Sequence, residues 1–391
     1  MSLITRDAAE TLRRLAKGFP VVAITGPRQA GKTTLARQVF ADKPYVTLED
    51  PEEREFALSD PRRFLMRFPA GAILDEVQRC PDLLSYLQGM VDERRRTGEF
   101  VLTGSQQFGL LSGITQSLAG RVGLVQLLPL SIAELKSARK LPADLDKFLL
   151  QGGYPPIYDR RLSPTDWFPN YVNTYIERDV RQVLAVRDLT SFQRFLRLCA
   201  ARTGQMLNLS SLGADCGISH ATAREWLTVL EASYVLMLLK PYHNNFGKRL
   251  VKTPKLYFLD VGLAAWLLGM RDAAALGIHA QRGALFETWV VSEIVKQRFN
   301  AGETPELFFW RDSAGNEVDL VYETPDGLQG VEIKSGATFA PDWLGGLKKW
   351  QALPGNRACK PWLVYGGSRS QSRETAEMFG WRDLPWTPRE G

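Results

Sequence analysis

One run of residues near the start of the chain combines glycines, a lysine and a threonine at a fixed spacing. The apolar stretch Val21–Thr25 leads into a loop in which Gly26, Gly31, Lys32 and Thr33 follow the order Gly-x-x-x-x-Gly-Lys-Thr. Glycines let backbone N–H groups curl around phosphate oxygens, the lysine reaches the β- and γ-phosphates, and the threonine hydroxyl binds Mg²⁺. A helix that begins at the end of the loop adds a partial positive charge. This Walker A pattern predicts an ATP-binding loop formed by Gly26, Pro27, Arg28, Gln29, Ala30, Gly31, Lys32, Thr33 and Thr34.

A pair of carboxylates follows a second apolar run. The run Gly71–Leu74 ends in Asp75 and Glu76. At the end of a strand, Asp75 is placed to hold Mg²⁺ through water, as a Walker B aspartate does, and Glu76 to orient and polarise the attacking water. A third run, Phe100–Thr103, is followed by Ser105, a candidate for a contact to the γ-phosphate or to that water. A plain turn at the end of the strand is the alternative interpretation of Ser105.

These loops need a sheet that brings them together. Apolar runs alternate with helical segments through the first 130 residues. The alternation predicts a parallel sheet covered by helices on both faces, with the nucleotide at the carboxyl edge of the strands. The predicted strands are Val21–Thr25, Tyr45–Leu48, Gly71–Asp75, Phe100–Thr103 and Val122–Leu127.

A second set of reactive residue types lies near the other end of the chain. Asp319 stands in the first strand of a predicted hairpin, and Glu332 and Lys334 stand two apart in the return strand, so that they share one face. An amphipathic helix before the hairpin carries Glu287. Carboxylate oxygens bind Mg²⁺, which activates water, and Lys334 would position or help to deprotonate that water.

This second set resembles the PD-(D/E)xK nuclease fold of restriction enzymes and junction resolvases. The resemblance implies that Glu287, Asp319 and Glu332 bind Mg²⁺ and that Asp319, Glu332 and Lys334 are catalytic in DNA cleavage. Two alternatives stay open. The domain could bind DNA without cutting it, or the hairpin could be merely salt-bridged, with Lys334 neutralising Glu332.

The middle of the chain has the spacing of a helix-turn-helix. Leu209 marks a short helix, Gly217–Ser219 forms a turn, and Ser219 can cap a second helix. Such a second helix can enter the major groove of DNA, where His220, Thr222 and Arg224 would face the bases.

Two strand-like runs, Tyr234–Tyr242 and Lys255–Leu259, follow this pair of helices. The turn between them is basic, and Lys248, Arg249 and Lys252 would contact the DNA backbone, as the wing of a winged helix does. A module that contacts protein, with a solvated basic loop, is the alternative.

Composition bounds the class of protein. The 391 residues suffice for two or three domains, and 45% hydrophobic with 24% charged residues is typical of a globular protein. The net charge of +6 fits a nucleic-acid partner without requiring one. The cysteines and histidines lie too far apart for a zinc site or a disulfide framework, which favours a reducing cytoplasm. No apolar run is long enough to span a membrane, and the charged N-terminus lacks the apolar region of a secretory signal.

The N-terminal motifs together resemble the AAA+ superfamily. The Walker motifs, the Thr-Gly-Ser strand end and Leu118–Arg121 carry the likeness, which extends through Gly152–Pro155 and Tyr175–Asp179 to prokaryotic AAA+ ATPases with a C-terminal domain of unknown function. In AAA+ proteins an arginine of the neighbouring subunit usually completes the site. The resemblance offers Arg121 and Arg178 for this role, and either is otherwise a salt-bridged surface arginine. An arginine supplied in this way requires a ring or another homo-oligomer, such as a hexamer.

We therefore predict an α/β chain of four parts. These are an AAA+ P-loop ATPase core at 1–130, a helical lid and connector at 131–189, a winged-helix module at 190–275, and a C-terminal α/β PD-(D/E)xK nuclease-like domain at 276–391. The predicted function is ATP hydrolysis with Mg²⁺, coupled to DNA binding and remodelling, and branched or four-way junction DNA follows only by analogy. The alternative is an ATP-dependent switch or scaffold whose C-terminal half binds a protein partner or DNA without cleaving it.

Overall fold

The computed structural model describes residues 3–104, 114, 116–176, 188–242, 253–353 and 357–385. The strands in these ranges form two sheets, one of five strands and one of nine. Ser105, Arg178, Lys248, Arg249 and Lys252, which the sequence places at functional positions, lie outside the described residues.

The N-terminal sheet is parallel throughout, as predicted. Its strands lie in the order β2-β3-β4-β1-β5. All their carboxyl ends therefore meet at one edge, where the P-loop begins. The strands are β1 (Val21–Thr25), β2 (Tyr45–Thr47), β3 (Ile73–Asp75), β4 (Phe100–Thr103) and β5 (Val122–Gln126).

Both faces of this sheet are buried. Along β1, Val21 and Ala23 belong to one apolar core, and Val22 and Ile24 belong to a second core on the opposite face. Successive side chains of a strand point to opposite faces, so a continuous apolar run is what a sheet with two covered faces requires. The helices of this part are α1 (Ala8–Gly18), α2 (Lys32–Val39), α3 (Pro51–Ser59), α4 (Pro61–Met66) and α5 (Leu83–Arg94), with a 3₁₀ turn at Val77–Arg79.

A series of helices connects the two sheets. The first of them is capped by Ser131, which accepts from the backbone N–H of Glu134 while the Glu134 carboxylate accepts from the backbone N–H of Ser131. The helices are α6 (Ile132–Ser137), α7 (Leu145–Gln151), α8 (Pro155–Asp159), α9 (Pro164–Tyr171), a π-helical turn (Val172–Ile176), α10 (Leu189–Ala201), α11 (Leu209–Cys216) and α12 (His220–Ala232).

The second sheet joins strands from the middle and the end of the chain. Its order is β13-β14-β12-β11-β10-β9-β7-β8-β6. The pairs β7–β8 and β10–β11 are the two predicted antiparallel pairs, and β7 also pairs in parallel with β9. The strands are β6 (Gln205–Met206), β7 (Leu236–Pro241), β8 (Lys255–Phe258), β9 (Leu307–Arg311), β10 (Glu317–Thr324), β11 (Gly327–Lys334), β12 (Trp362–Tyr365), β13 (Gln371–Ser372) and β14 (Glu377–Gly380).

Strand β7 begins two residues later than the sequence predicts. Tyr234 has a φ of 55°, a left-handed conformation that ends the preceding helix and cannot continue a strand. The pairing of β7 with β9 places the strands after the helix-turn-helix and the C-terminal hairpin in one continuous sheet.

One long helix, α15 (Arg282–Ala301), is the centre of the C-terminal part. It is buried on most of its circumference and contacts α1, β5, β8 and β11. In the part of the chain that the structure describes, no helix is both long and apolar enough to cross a membrane. The remaining helices are α13 (Val261–Leu267), α14 (Ala273–Gly277) and α16 (Gly345–Gln351), with 3₁₀ turns at Pro341–Leu344 and Trp381–Asp383.

Candidate functional site

The phosphate loop begins directly after β1 and depends on two glycines. Gly26 has a φ of 142°, and a Cβ at this position would lie 2.1 Å from the carbonyl oxygen of Leu127. Gly31 has a φ of 94° and stands at the start of α2. Both positions exclude other residues, the first by steric contact and both by backbone conformation. The helix therefore begins with its free N–H groups directed into the loop.

The lysine of the loop is buried and held against its own backbone. The Lys32 ammonium donates to the carbonyl oxygens of Gly26 at 3.0 Å and Pro27 at 2.8 Å. These bonds keep Nζ over the loop, which is where the sequence predicts a phosphate contact. Arg28, Gln29, Gly31, Thr33 and Thr34 line the same cavity of about 460 Å³.

Asp75 is surrounded by hydroxyl groups. The Thr33 hydroxyl lies 3.1 Å from both carboxylate oxygens, the Tyr45 hydroxyl donates to Oδ2 at 2.7 Å, and the Thr103 hydroxyl donates to Oδ1. Burial and the bond to Asp75 raise the pKa of Tyr45 to about 12. Hydroxyl and carboxylate oxygens are hard donors of the kind that Mg²⁺ selects, so Thr33 and Asp75 fit the metal expected there.

Glu76 stands in the cavity next to Asp75. Its φ of 55° turns the chain sharply at the end of β3, and Gln78 donates from its side-chain amide to the Glu76 carboxylate. The turn places two consecutive carboxylates at the same cavity, which is what a metal ligand followed by a water-orienting residue requires.

One wall of this cavity was not predicted from the sequence. It comes from α8 and the residue after it, and it is formed by Pro155, Pro156, Asp159 and Arg160. The Gly152–Pro155 motif, which the AAA+ resemblance includes, is the sequence signal that could have found it. The contact of Thr103 to Asp75 was also not predicted, because it depends on the pairing of β3 with β4.

Of the two arginines predicted to complete the site of a neighbouring subunit, Arg121 is described by the structure. Arg121 forms a two-pronged ion pair with Asp92, with Nε to Oδ1 at 2.6 Å and Nη2 to Oδ2 at 2.9 Å. It precedes β5, at the edge of the parallel sheet opposite to the P-loop, and so lies away from its own chain's cavity. Arg178 lies outside the described residues.

The residue before the P-loop contacts the segment that directly follows α12. Thr25, the last residue of β1, shares a hydrogen bond of 3.0 Å between its hydroxyl and that of Tyr234, the second residue after α12. Burial raises the pKa of Tyr234 above its ordinary value. Hydrogen bonds to Thr25 and Gln126 lower the pKa and offset part of this effect. The hydroxyl of Tyr234 therefore joins the ends of β1 and β5.

A buried arginine joins the P-loop to the connecting helices. Arg6 donates to the carbonyl oxygen of Ala30 at 2.7 Å, to that of Leu128 at 2.6 Å and to the Glu134 carboxylate at 2.9 Å. Two residues before Glu134, the N–H of Ile132 donates at 2.5 Å to the carboxylate of Glu293 on α15. Polar contacts thus run from the nucleotide loop to the central helix of the C-terminal part.

The predicted recognition helix presents its first turn to solvent. Ser219 caps α12 by accepting from the N–H of Thr222 at 3.0 Å, and His220 and Arg224 are exposed. Ala223 is fully buried between them in sequence, so the helix has one core face and one free face. His220 and Thr222 lie on the first turn of the helix and Arg224 lies on the second, near the N-terminal end that a helix-turn-helix presents to DNA.

The C-terminal hairpin brings Asp319 and Glu332 opposite each other, since Leu320 pairs with Val331 in the antiparallel register. Asp319 accepts from the N–H of Ile333 at 2.8 Å. The Lys334 ammonium lies 2.5 Å from Glu332, so both face the same side of β11, as predicted.

The acidic residues of this region influence one another. Burial is the largest cause that raises the pKa of Glu287 to about 7 and that of Glu332 to about 8. The nearby negative charge of Asp319 is the second cause in both cases. Within the described ranges, no group of three or more His, Cys, Asp or Glu residues is arranged to hold a metal ion. The predicted ligands Glu287, Asp319 and Glu332 are thus near one another without forming such a group.

Two residues of this cluster were not predicted. Strand β8 contributes Lys255, whose ammonium lies 3.1 Å from Glu287 and 2.5 Å from Glu317. It also contributes Tyr257, whose hydroxyl donates to Glu287 at 2.5 Å. Burial lowers the pKa of Lys255, but Glu287, Asp319 and Glu317 raise it overall. No local pattern relates these residues to the hairpin, because they come together only through the long sheet.

Three family models match successive parts of the chain. An AAA domain matches residues 18–136, a domain of unknown function (DUF8612) matches 142–274, and a second domain of unknown function (DUF4143) matches 282–384.

The chain is also similar to whole proteins. It is 34% identical over 342 residues to the uncharacterized proteins Rv2008c of Mycobacterium tuberculosis and Mb2031c of Mycobacterium bovis, covering 86% of this chain and 75% of each relative. Among solved structures, the Walker-type ATPase PABY2304 of Pyrococcus abyssi is 16% identical, with a TM-score of 0.44 over 68% of this chain and 96% of that chain.

Proposed function

The chain belongs to the same family as its mycobacterial relatives, with an AAA+ ATPase domain followed by a C-terminal domain of unknown function, and from this premise we propose that it hydrolyses ATP and couples hydrolysis to DNA binding and remodelling. The observation that carries the proposal is the cavity shared by the P-loop, Asp75 and Glu76. It joins phosphate-binding, metal-binding and water-orienting groups at one sheet edge.

Four side chains of the cavity have a part in the proposed reaction. Lys32 and the backbone N–H groups of the loop bind the phosphates, and Thr33 and Asp75 would hold Mg²⁺, which offsets negative charge on the phosphates when bound. Glu76 orients a water molecule for attack on the γ-phosphorus. The new P–O bond forms as the bond between the β–γ bridging oxygen and the γ-phosphorus breaks, which leaves ADP and phosphate.

The hydroxyl pair of Thr25 and Tyr234 supports coupling to the middle of the chain. Thr25 immediately precedes the P-loop, and Tyr234 follows the helix that carries His220, Thr222 and Arg224. A shift of the loop on nucleotide binding would therefore reach the predicted DNA-contacting helix through one buried hydrogen bond. The contacts of Arg6 provide a second connection, toward α15.

DNA binding is proposed from the exposed face of α12 and the basic turn that follows it. His220 and Arg224 are exposed, and the net charge of the chain is +6. Lys248, Arg249 and Lys252, outside the described residues, add positive charge that phosphates attract. Reversing the charge of these three lysine and arginine residues should abolish salt-sensitive DNA binding, and unchanged affinity would refute their assignment.

We also propose a homo-oligomer in which Arg121 completes the site of a neighbouring chain, with Arg178 as the alternative. Arg121 lies at the sheet edge away from its own cavity, where it is available only to another subunit once its pair with Asp92 opens. ATPase activity per chain should then rise with protein concentration. A flat dependence down to a demonstrated monomer would exclude an arginine from a neighbouring chain.

The experiment that tests the proposed function is phosphate release by the full chain with and without linear duplex, single-stranded and four-way DNA. A several-fold stimulation supports a DNA-remodelling ATPase. Slow turnover that DNA does not change supports the second candidate, an ATP-dependent switch or scaffold whose C-terminal half binds a partner without cleaving it. Lys255, which pairs with Glu287 on α15 and with Glu317 at the start of the hairpin, argues against cleavage under either candidate.

A further inference from the structure

Strand β8 inserts a positive charge into the carboxylates of the C-terminal hairpin. Lys255 and Tyr257 are two residues apart on β8 and therefore share one face, which is turned toward Glu287 on α15. The Lys255 side chain is 4% exposed, and its ammonium lies 3.1 Å from Glu287 Oε1 and 2.5 Å from Glu317 Oε1. The Tyr257 hydroxyl donates at 2.5 Å to the same Oε1 of Glu287. One oxygen of Glu287 thus accepts from two donors of β8.

The other carboxylates of the cluster also have protein donors. Asp319 Oδ2 accepts from the N–H of Ile333 at 2.8 Å, and Glu332 Oε1 pairs with Lys334 at 2.5 Å. Glu332 Oε2 is the one buried oxygen of the described cluster that has no hydrogen-bond partner. Mg²⁺ needs oxygen ligands at about 2.0–2.1 Å, so an ion at this place would have to displace donors that these carboxylates already accept from.

The position of Lys255 is fixed by backbone pairing on both sides. In the sheet it lies between Met206 of β6 and Leu239 of β7. Its ammonium also lies over the ring of Phe309, 5.5 Å from the centroid. Withdrawing the ammonium would leave Glu287 with the Tyr257 hydroxyl and Glu317 with Arg311, which lies 3.0 Å from it. Lys255 is therefore the cation that links these two half-buried carboxylates.

We propose that Lys255 takes the place of a divalent cation among Glu287, Glu317 and Asp319, so that the C-terminal domain neither binds Mg²⁺ at these carboxylates nor cleaves DNA. The donor set therefore does not fit the metal that the PD-(D/E)xK resemblance implies. The cluster instead joins the strands after the helix-turn-helix to α15 and the hairpin. This inference is independent of the ATPase function, since no residue of the cluster lines the nucleotide cavity.

The test is Mn²⁺ binding by the nucleotide-free full chain, followed by electron paramagnetic resonance. Asp319→Asn, whose amide oxygen can still accept from Ile333, should leave the number of ions bound by the wild type unchanged. Lys255→Met, which keeps the length of the side chain without its charge, should gain a single Mn²⁺, and the double variant with Asp319→Asn should lose it. Lys360→Met removes a lysine paired with Glu377 on the surface of the same domain and should behave as the wild type.

Any one of three results would overturn the proposal. The first is wild-type Mn²⁺ binding that disappears in Asp319→Asn, and the second is a folded Lys255→Met variant that gains no ion. If Lys255→Met does not fold, the comparison of the wild type with Asp319→Asn decides alone. Cleavage of single-stranded, duplex or branched DNA by the wild type with Mg²⁺ or Mn²⁺, abolished by Asp319→Ala, would also contradict it.

Discussion

The hydrogen bond between Thr25 and Tyr234 offers a direct test of coupling between the nucleotide loop and the middle of the chain. Tyr234→Phe removes only the hydroxyl, which lies 3.0 Å from the Thr25 hydroxyl. The ring of Tyr234 is 6% exposed and packs against Phe299, so its apolar contacts remain. A buried hydrogen bond of this kind contributes roughly 0.5–1.5 kcal/mol, which corresponds to roughly a two- to twelve-fold change in an equilibrium constant.

We expect Tyr234→Phe to keep its basal ATPase rate and to lose about five-fold in stimulation by DNA. The assay is phosphate release at saturating ATP with increasing DNA. Tyr171→Phe is the matched control, because it removes a hydroxyl that pairs with Tyr154 at 2.9 Å away from the P-loop. Equal DNA stimulation in Tyr234→Phe and the wild type would refute the reasoning, as would an equal loss in the control.

Three further predictions concern the acidic groups and the oligomer. Asp75→Asn should lower the rate of ATP hydrolysis roughly 100-fold while nucleotide-free protein stays folded, which steady-state kinetics and circular dichroism would check. Glu332 has a pKa raised by burial to about 8, so the folded chain holds a proton that the unfolded chain releases, and stability falls as the pH rises from about 4.5 to 8. Glu332→Gln should therefore exceed the wild type in stability by about 1 kcal/mol or more at pH 8.5 but not at pH 4.5, with the exposed Glu323→Gln as control in thermal unfolding. Arg121→Ala should slow turnover by at least about 100-fold at high protein concentration, and an unchanged rate would leave the role to Arg178.

The nucleotide-binding half follows closely from the sequence. Gly26, Gly31 and Lys32 stand at fixed spacing after a continuous apolar run, and each of these signals is local. The parallel direction of the five strands was predicted, because strands that alternate with helices form a parallel sheet whose two faces the helices cover. Thr103 was missed because the position of a hydroxyl relative to Asp75 depends on the pairing of β3 with β4, which no single segment encodes.

The second half shows what local patterns do not contain. The helix-turn-helix pair and both antiparallel strand pairs were predicted from capping, turn and alternation signals. The parallel pairing of β7 with β9 joins Lys240 to Phe308 across more than sixty residues of chain, and it creates the nine-stranded sheet. Lys255 lies next to Glu287 because β8 is part of that sheet, so the spacing of residues along the chain could not predict this contact.

The central claim is that the P-loop cavity hydrolyses ATP. The measurement that tests it most directly is Mg²⁺-dependent phosphate release by the purified full chain, compared between the wild type, Lys32→Ala and a control such as Lys17→Ala at the end of α1. We predict turnover in the wild type and the control, and none above background in Lys32→Ala. Absence of turnover and of ATP binding in the wild type, or turnover that survives in Lys32→Ala, would contradict the account.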